Sequence, residues 1–450
     1  MWVRTIALMI LFSFLQVTAQ EPEKPSATVA AAQEVIQQLA AGQYDKIEAQ
    51  FDARMAAALP PGKIASVWPG LIQQVGAFQS VVETKTTKVQ GVDVVTLVCK
   101  FQNAVLDAHV AFDHDGKIAG LTFRPHQDPA PPWTPPAYAK PDSFTEQSLL
   151  VTNGKFELPG TLTMPKGDGP FPAVVLVQGS GPNDEDETIG PNKPFKDIAE
   201  GLSSRGVAVL RYIKRTRKYG LQSSDDPAKL TVDEETMSDA RAAVDLVAKQ
   251  PKIDPARVFV LGHSLGAYLA PRIATGDSQI AGIVMLAGNT RPIEQLALDQ
   301  VRYIASLNGA PNEDEQKQIA KVEENVRQIE SSDLKPGDSV TFLGGSSPGA
   351  YWLDLRGYQP VETATQLKLP ILILQGGRDY QVTPANFDEW RKALASHSNV
   401  TFKLYPGLNH LFIDGSGPST PQEYNKPGHV AEGVISDVVV WISACGKASK

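Results

Sequence analysis

The stretch that decides the fold is Val258-Phe259-Val260-Leu261-Gly262-His263-Ser264-Leu265-Gly266. Its first four residues read as a buried strand, and Ala267, Leu269, Ala270 and Ile273 then recur at helical spacing. Between the two elements the chain must reverse sharply, and Gly262 and Gly266 permit it by having no side chains. A serine on such a turn is presented at the edge of a sheet, above the N-terminus of the helix. Ser264 is therefore the candidate nucleophile, with Gly262, His263 and Gly266 forming the elbow that carries it. G-x-S-x-G alone arises by chance in glycine-rich loops; the strand before it and the helix after it make this one informative.

On either side of the elbow the pattern alternates between apolar runs and helical segments. Phe144 to Thr152 and Phe156 to Met164 read as an antiparallel opening pair. Ala173 to Val177, Val207 to Ile213, Val258 to Leu261, Ile280 to Ala287, Leu369 to Leu374 and Thr401 to Tyr405 read as further strands. Helical segments fall around Phe195 to Ser203, Val232 to Lys249, Leu265 to Ile273 and Phe387 to Ala395. This alternation predicts an α/β fold, a mostly parallel sheet with helices on both faces. Arg291 to Gln359 interrupts it with charge-rich helical sequence and then a loop containing Tyr351 and Trp352. An insertion there, at about 290–360, belongs above the carboxyl ends of the strands, as a lid.

A serine hydroxyl is a weak nucleophile and needs a base oriented by a carboxylate. After an elbow of this kind the acid and then the histidine follow in chain order. Three of the seven histidines lie downstream, His397, His410 and His429. His397 sits between serines at a helix end, and His429 follows Pro427-Gly428 near the start of the last helix. His410 follows the strand Thr401 to Tyr405 and the turn Pro406-Gly407, and is the candidate base. Asp379 is the first carboxylate after the strand Leu369 to Leu374 and the candidate acid; the other common role for such an Asp is a turn or cap. Developing oxyanion charge needs backbone donors. One is the N–H of Leu265, and the other comes from Gln178-Gly179-Ser180-Gly181-Pro182-Asn183-Asp184, with Ser180 N–H the candidate and Gly179 the alternative. The same glycines do not make a dinucleotide loop, because the third glycine of that fingerprint is absent.

The chain has 450 residues, about three times the ~150 of one domain, so more than one domain is expected. Ser26 to Phe123 reads as a small α+β domain (within 21–127), with helical spacing through Val29, Val35, Ile36, Leu39, Ile47, Phe51 and Met55. Four strands follow, from Val81, Val92, Ala104 and Ile118. Helices followed by such a meander resemble cystatin-like or nuclear-transport-factor-like folds. The turn Asp113-His114-Asp115-Gly116 makes His114 a surface residue. Residues 128–142 contain six prolines between Asp128 and Pro141 and predict a stiff linker that joins neither core. The α/β domain then spans 143–450. Residues 1–20, with Arg4, an apolar run from Ile6 to Leu15 and Val17-Thr18-Ala19, read as a cleaved signal peptide. That run is about half the roughly twenty residues a membrane span requires, so stable membrane insertion is not expected. Export leaves two readings for Cys99 and Cys445, a single bridge or two buried thiols.

These motifs resemble the serine α/β-hydrolases, and among them bacterial EstD-type carboxylesterases that carry an N-terminal domain of unknown function. The resemblance rests on Gly179 to Asp184, Leu210-Arg211-Tyr212-Ile213-Lys214-Arg215, Gly262 to Gly266, and the Asp379 and His410 loops, and covers about 300 residues from Phe144 onward. Ile213 replaces an Asp found in many relatives, and Thr216-Arg217-Lys218 replaces a glycine-rich turn. Lys214 and Arg215 are expected to pair with the acidic residues from Asp184 to Glu187, substrate binding being the alternative.

The leader, the motifs and the resemblance together imply an exported (secreted or periplasmic) serine esterase acting on short-chain carboxylic esters through Ser264, Asp379 and His410. The sequence offers no metal cluster or cofactor loop, and the elbow carries no cysteine, which argues against the thiol-dependent dienelactone hydrolases. Two alternatives stand beside it: a serine peptidase or amidase, and a cell-envelope binding protein whose N-terminal domain takes an envelope ligand. Forty-two Lys and Arg against 50 Asp and Glu argue against a nucleic-acid partner. The charged face from Glu313 to Glu324, with few apolar positions (Ile319, Val322, Val326, Ile329), suits a lid that docks and stays shut, hence short acyl chains.

Overall fold

The computed structural model describes residues 26–445 apart from 90–91, 127–131 and 344. The expected leader, residues 1–20, lies outside the described residues. After Pro129 the chain divides into two compact units.

In the smaller unit, helices α1 (Ala27–Ala40), α2 (Tyr44–Glu48), α3 (Ala53–Ala58) and α4 (Ile64–Val75) precede four strands. Strands β1 (Phe78–Val89), β2 (Val92–Phe101), β3 (Val105–Phe112) and β4 (Ile118–Pro125) form an antiparallel meander in chain order. Alternate residues Val95, Leu97, Cys99 and Phe101 of β2, with Leu106, Ala108, Val110 and Phe112 of β3, pack on Val35, Ile36 and Leu39 of α1 and Trp68 of α4. The helical run expected through Ile47, Phe51 and Met55 is broken, because Phe51 leaves it to bridge Ile118 of β4. Asp113 forms the expected turn, its carboxylate taking the N–H groups of Asp115 and Lys117 while Gly116 adopts φ +74°.

The larger unit opens with β5 (Phe144–Asn153), β6 (Phe156–Pro165) and β7 (Phe171–Val177), then α5 (Pro194–Ser203), β8 (Ala208–Tyr212) and a short α6 (Arg215–Tyr219). Helix α7 (Ser238–Ala248), preceded by a π-helical turn over Asp233–Met237, leads to β9 (Ile253–His263), α8 (Leu265–Ala274) and β10 (Ile280–Leu286). The insertion follows: α9 (Ile293–Ser306), α10 (Glu313–Glu330), the hairpin β11 (Ser339–Phe342) and β12 (Gly345–Pro348), α11 (Gly349–Arg356) and α12 (Pro360–Gln366). Strand β13 (Ile371–Gly376), α13 (Pro384–Ala393), β14 (Val400–Tyr405) and α14 (Glu432–Cys445) follow.

The eight-stranded sheet has the order β14-β13-β10-β9-β7-β8-β6-β5. Only β5 and β6 run antiparallel to their neighbours. Alternation along the strands divides the core between two faces. Ala173, Val175 and Val177 of β7 join Val258 and Val260 of β9 against α7 and α8, whereas Val174, Leu176, Phe259 and Leu261 face α5 and α14. Burial on both faces is why these strands read as unbroken apolar runs. In the insertion, Leu298 of α9 packs against Val322 and Val326 of α10, the docking positions expected of a charged helix. Tyr351 and Trp352 lie on α11, not in a loop, and Trp352 belongs to the core. None of the helices among the described residues is long and apolar enough to cross a membrane.

The proline-rich stretch was expected to join neither core, and from Pro132 onward it does otherwise. Trp133 Nε1 donates to Asp197 of α5 at 3.0 Å, and Tyr138 OH donates to the Val430 carbonyl at 2.7 Å. The two aromatics between the prolines supply apolar area with a polar tip, and this docks the segment along the larger unit. Both cysteines are free thiols; burial pushes the Cys99 thiol up to about 12.

Candidate active site

Strand β9 ends at the elbow. Ser264 has φ +54° and ψ −114°, a conformation that costs a non-glycine residue about 1–3 kcal/mol. Hydrogen bonds on both sides hold it there. Ser264 N–H donates to Leu286 O of β10 at 2.9 Å, and Ser264 O receives Tyr268 N–H as α8 begins. A Cβ at Gly262 would lie 2.2 Å from the Gly266 backbone, and one at Gly266 2.1 Å from the Val177 carbonyl. The two glycines thus let α8 approach β9 and the end of β7 at backbone distance. Within the buried run from Val258 to Ala274, Ser264 is one of the few residues that reach solvent.

Asp379 and His410 leave the ends of β13 and β14. Asp379 Oδ1 accepts the N–H groups of Gln381 at 2.8 Å and Val382 at 2.9 Å, and Oδ2 faces His410 Nδ1 at 2.7 Å. The two side chains are 0% and 4% exposed, so this contact is shielded from water. With Nδ1 donating to the carboxylate, Nε2 is the nitrogen left to accept a proton. Asn409 shapes the loop, its Oδ1 taking Leu411 N–H and Ile413 N–H. The competing histidines are elsewhere: His429 pairs with Asp197, and His397 lies between α13 and β14.

At the end of β7, Gly179 N–H donates to Glu187 Oε1 at 2.5 Å. Gly179 N–H is thus already taken, whereas Ser180 N–H, the candidate oxyanion donor, meets no acceptor among the described residues. Leu265 opens α8, and the first N–H groups of a helix have no intrahelical partner. The four segments leave β7, β9, β13 and β14 at one edge of the sheet, its carboxyl end, where ligands bind in open α/β folds.

Sequence reasoning named His263 only as part of the elbow; the structure gives it a buried network. His263 Nε2 faces the His410 carbonyl at 3.0 Å, which can only accept, and Nδ1 faces Glu187 Oε2 at 2.9 Å. Both ring nitrogens therefore suit an imidazolium. Burial alone depresses its pKa, but the Glu187 charge and its hydrogen bond, the His410 carbonyl and the Asp379 charge outweigh burial, and the group is held above its ordinary value. Glu187 and His263 thus join the Gly179 loop, the elbow and the His410 loop. Glu187 carried no signal in the sequence beyond its place in an acidic run.

The expected partners of that run need correction. Asp186 pairs with Arg211, not with Lys214 or Arg215. Arg215 pairs with Asp239, and Lys214 with Glu235. Arg211 lies within β8, so strand alternation settles its direction; Lys214 and Arg215 lie past the strand end, where period two no longer applies. The insertion reaches this region twice: Tyr303 of α9 stacks on Tyr380, beside Asp379, and Tyr351 OH donates to Glu235 Oε2 at 3.1 Å. The grouping of metal-type ligands among the described residues, Asp113-His114-Asp115, belongs to the smaller unit and is largely exposed.

A strand–serine–helix elbow with an acid and a histidine on later strand ends, on a sheet of this order, is the architecture of an α/β-hydrolase. A family model described as serine aminopeptidase, S33, matches residues 194–414, and a family of proteins of unknown function matches residues 32–121. Esterase EstD of Thermotoga maritima is 40% identical over 407 residues, 90% of this chain and 93% of that protein. Dipeptidyl aminopeptidase BIII of Pseudoxanthomonas mexicana is 27% identical over 274 residues, 60% of this chain and 34% of that protein. The solved structure of a Pyrococcus furiosus esterase superposes with a TM-score of 0.44 at 18% identity, covering 71% of this chain and 99% of that one. The chain belongs to the family of esterase EstD, within the α/β-hydrolases.

Proposed function

We propose that the protein is a serine carboxylesterase acting on short-chain carboxylic esters through an acyl-enzyme. Ser264 Oγ attacks the ester carbonyl carbon while His410 Nε2 takes its proton; Asp379 holds the imidazole and balances the cation. The carbonyl oxygen becomes an oxyanion received by the N–H groups of Ser180 and Leu265. His410 returns the proton to the departing alcohol. Water then attacks the acyl carbon with His410 as base, and Ser264 is released with the acid. The observation that carries this reading is the shielded 2.7 Å contact between His410 and Asp379, one sheet edge with a strained, solvent-reaching Ser264. The apolar leader pattern of residues 1–20 supports export to the periplasm or medium.

The test is kcat/KM across nitrophenyl acetate, butyrate, octanoate and palmitate, with the anilides of the same acids alongside. The expected result is a maximum at short chains, absent in Ser264→Ala. A rise all the way to palmitate overturns the short-chain reading. The match to an aminopeptidase family model favours a second reading, an amidase, and anilides turned over faster than esters would establish it.

A further inference from the structure

We propose that Lys214 is a positioning residue of this site, whose ammonium holds the Gly179 carbonyl and thereby orients and polarises the Ser180 N–H. The proposal rests on the reading of Ser180 as an oxyanion donor. The C=O of Gly179 and the N–H of Ser180 are opposite ends of one planar trans peptide. Whatever grips the oxygen therefore aims the N–H away from itself.

Two donors grip it. Lys214 Nζ donates to Gly179 O at 2.9 Å and Asn183 Nδ2 donates at 3.1 Å, so both lone pairs of the oxygen are used. The Lys214 backbone N–H also bonds the Asn183 carbonyl at 3.1 Å, tying the end of β8 to the same loop. Lysine is almost never fully buried without a partner, yet Lys214 is 1% exposed. Its counter-ion is Glu235, 3.2 Å away on the π-helical turn, an irregularity often found at functional sites. The carboxylate is held in turn by Tyr351 OH at 3.1 Å and Thr236 Oγ1 at 3.3 Å. A salt bridge alone would need only the carboxylate. Here the ammonium also reaches a backbone oxygen one peptide bond from the proposed donor.

Charges lie on both sides of Gly179, with the Glu187 carboxylate on its N–H and the Lys214 ammonium on its C=O. A cation on a carbonyl oxygen draws electron density from the amide and strengthens the N–H as a donor.

The test compares wild type with Lys214→Met, which keeps the chain length and removes the ammonium. Binding is also measured for a trifluoromethyl ketone, whose carbonyl carbon bonds to Ser264 Oγ as the hydroxyl proton passes to His410 and the oxygen becomes an oxyanion. Removing an oxyanion donor outright lowers kcat about 100- to 1,000-fold; a misdirected donor should cost about 10- to 100-fold. The expected result is that loss in kcat, an unchanged KM, and a parallel loss of ketone affinity. Wild-type kcat overturns the proposal, as does a rise in KM with kcat preserved. If Lys214→Met does not fold, Asn183→Ala decides on the same criteria, with a loss in kcat of several-fold expected and wild-type kcat overturning the proposal. Labelling by a fluorophosphonate separates the two levels. Wild type unlabelled at Ser264 ends the catalytic reading and this proposal with it; labelled wild type with unaffected variants ends this proposal alone.

Discussion

Replacing Glu187 by Leu and by Gln separates what its charge does from what its hydrogen bonds do. Glu187 is 2% exposed and accepts from Gly179 N–H and His263 Nδ1. Leu leaves both donors without an acceptor and an imidazolium without its counter-charge; removing one partner of a buried pair costs about 3–5 kcal/mol. In a unit of this size that is a fall in Tm on the order of 10 °C. Gln keeps the shape. Its carbonyl oxygen still accepts Gly179 N–H, and its amide donates to Nδ1 of a neutral His263 whose Nε2–H remains on the His410 carbonyl. Every hydrogen bond survives, so only the ionic part is lost and the fall in Tm is smaller than for Leu. That part depends on pH with a definite sign. His263 is held above its ordinary value of about 6.5, so the pair's contribution is complete below that pH and disappears as pH rises through the raised value. The gap in Tm between wild type and Glu187→Gln, measured by calorimetry from pH 5.5 to pH 9.5, should therefore be widest in acid and close in alkali. A gap that is constant, or that widens with pH, would refute the charged His263.

Other residues give sharper single outcomes. Asp379→Asn should fold normally, because the amide oxygen can still accept from Gln381 and Val382, yet lose about four orders of magnitude in kcat as the amide N–H₂ forces the wrong His410 tautomer; retention of a tenth of wild-type kcat would exclude Asp379. Gly266→Ala has no space at all, its Cβ 2.1 Å from a backbone oxygen, and should lose both solubility and turnover. Gly70→Ala in α4, with nothing within 4 Å, should raise stability by about 0.5–1 kcal/mol. A truncated protein beginning at Pro132 should be soluble and react with fluorophosphonate, since no assigned group lies before it. One beginning at Asp142 lacks Trp133 and Tyr138 and should unfold at lower denaturant concentration, by about 2–3 kcal/mol for two half-buried aromatics.

The fold and the candidate reacting groups are legible because their signals are local. A strand, an elbow and a helix are consecutive in Val258 to Ile273, and Asp379 and His410 each follow an apolar run by a short turn. What escaped depends on contacts distant in sequence. Glu187 and His263 are 76 residues apart, and nothing in the acidic run marks the carboxylate that turns toward His263. The π-helical turn before α7 adds a residue to each turn, so helical spacing through Val232 to Lys249 concealed where Glu235 points. Helix α11 read as a loop because Gly349 opens it and eight residues are too few for a clear period. The proline-rich stretch read as a spacer on backbone chemistry alone, whereas Trp133 and Tyr138 decide its course.

The most direct measurement is the site of covalent modification by a fluorophosphonate. Ser264 Oγ should displace fluoride from phosphorus, with one adduct per chain by intact mass. Peptide mapping should then place it on Ser264, with loss of turnover in proportion to labelling and no adduct on Ser264→Ala. Full inactivation with the adduct on another residue, or undiminished turnover with Ser264 fully modified, would contradict the account.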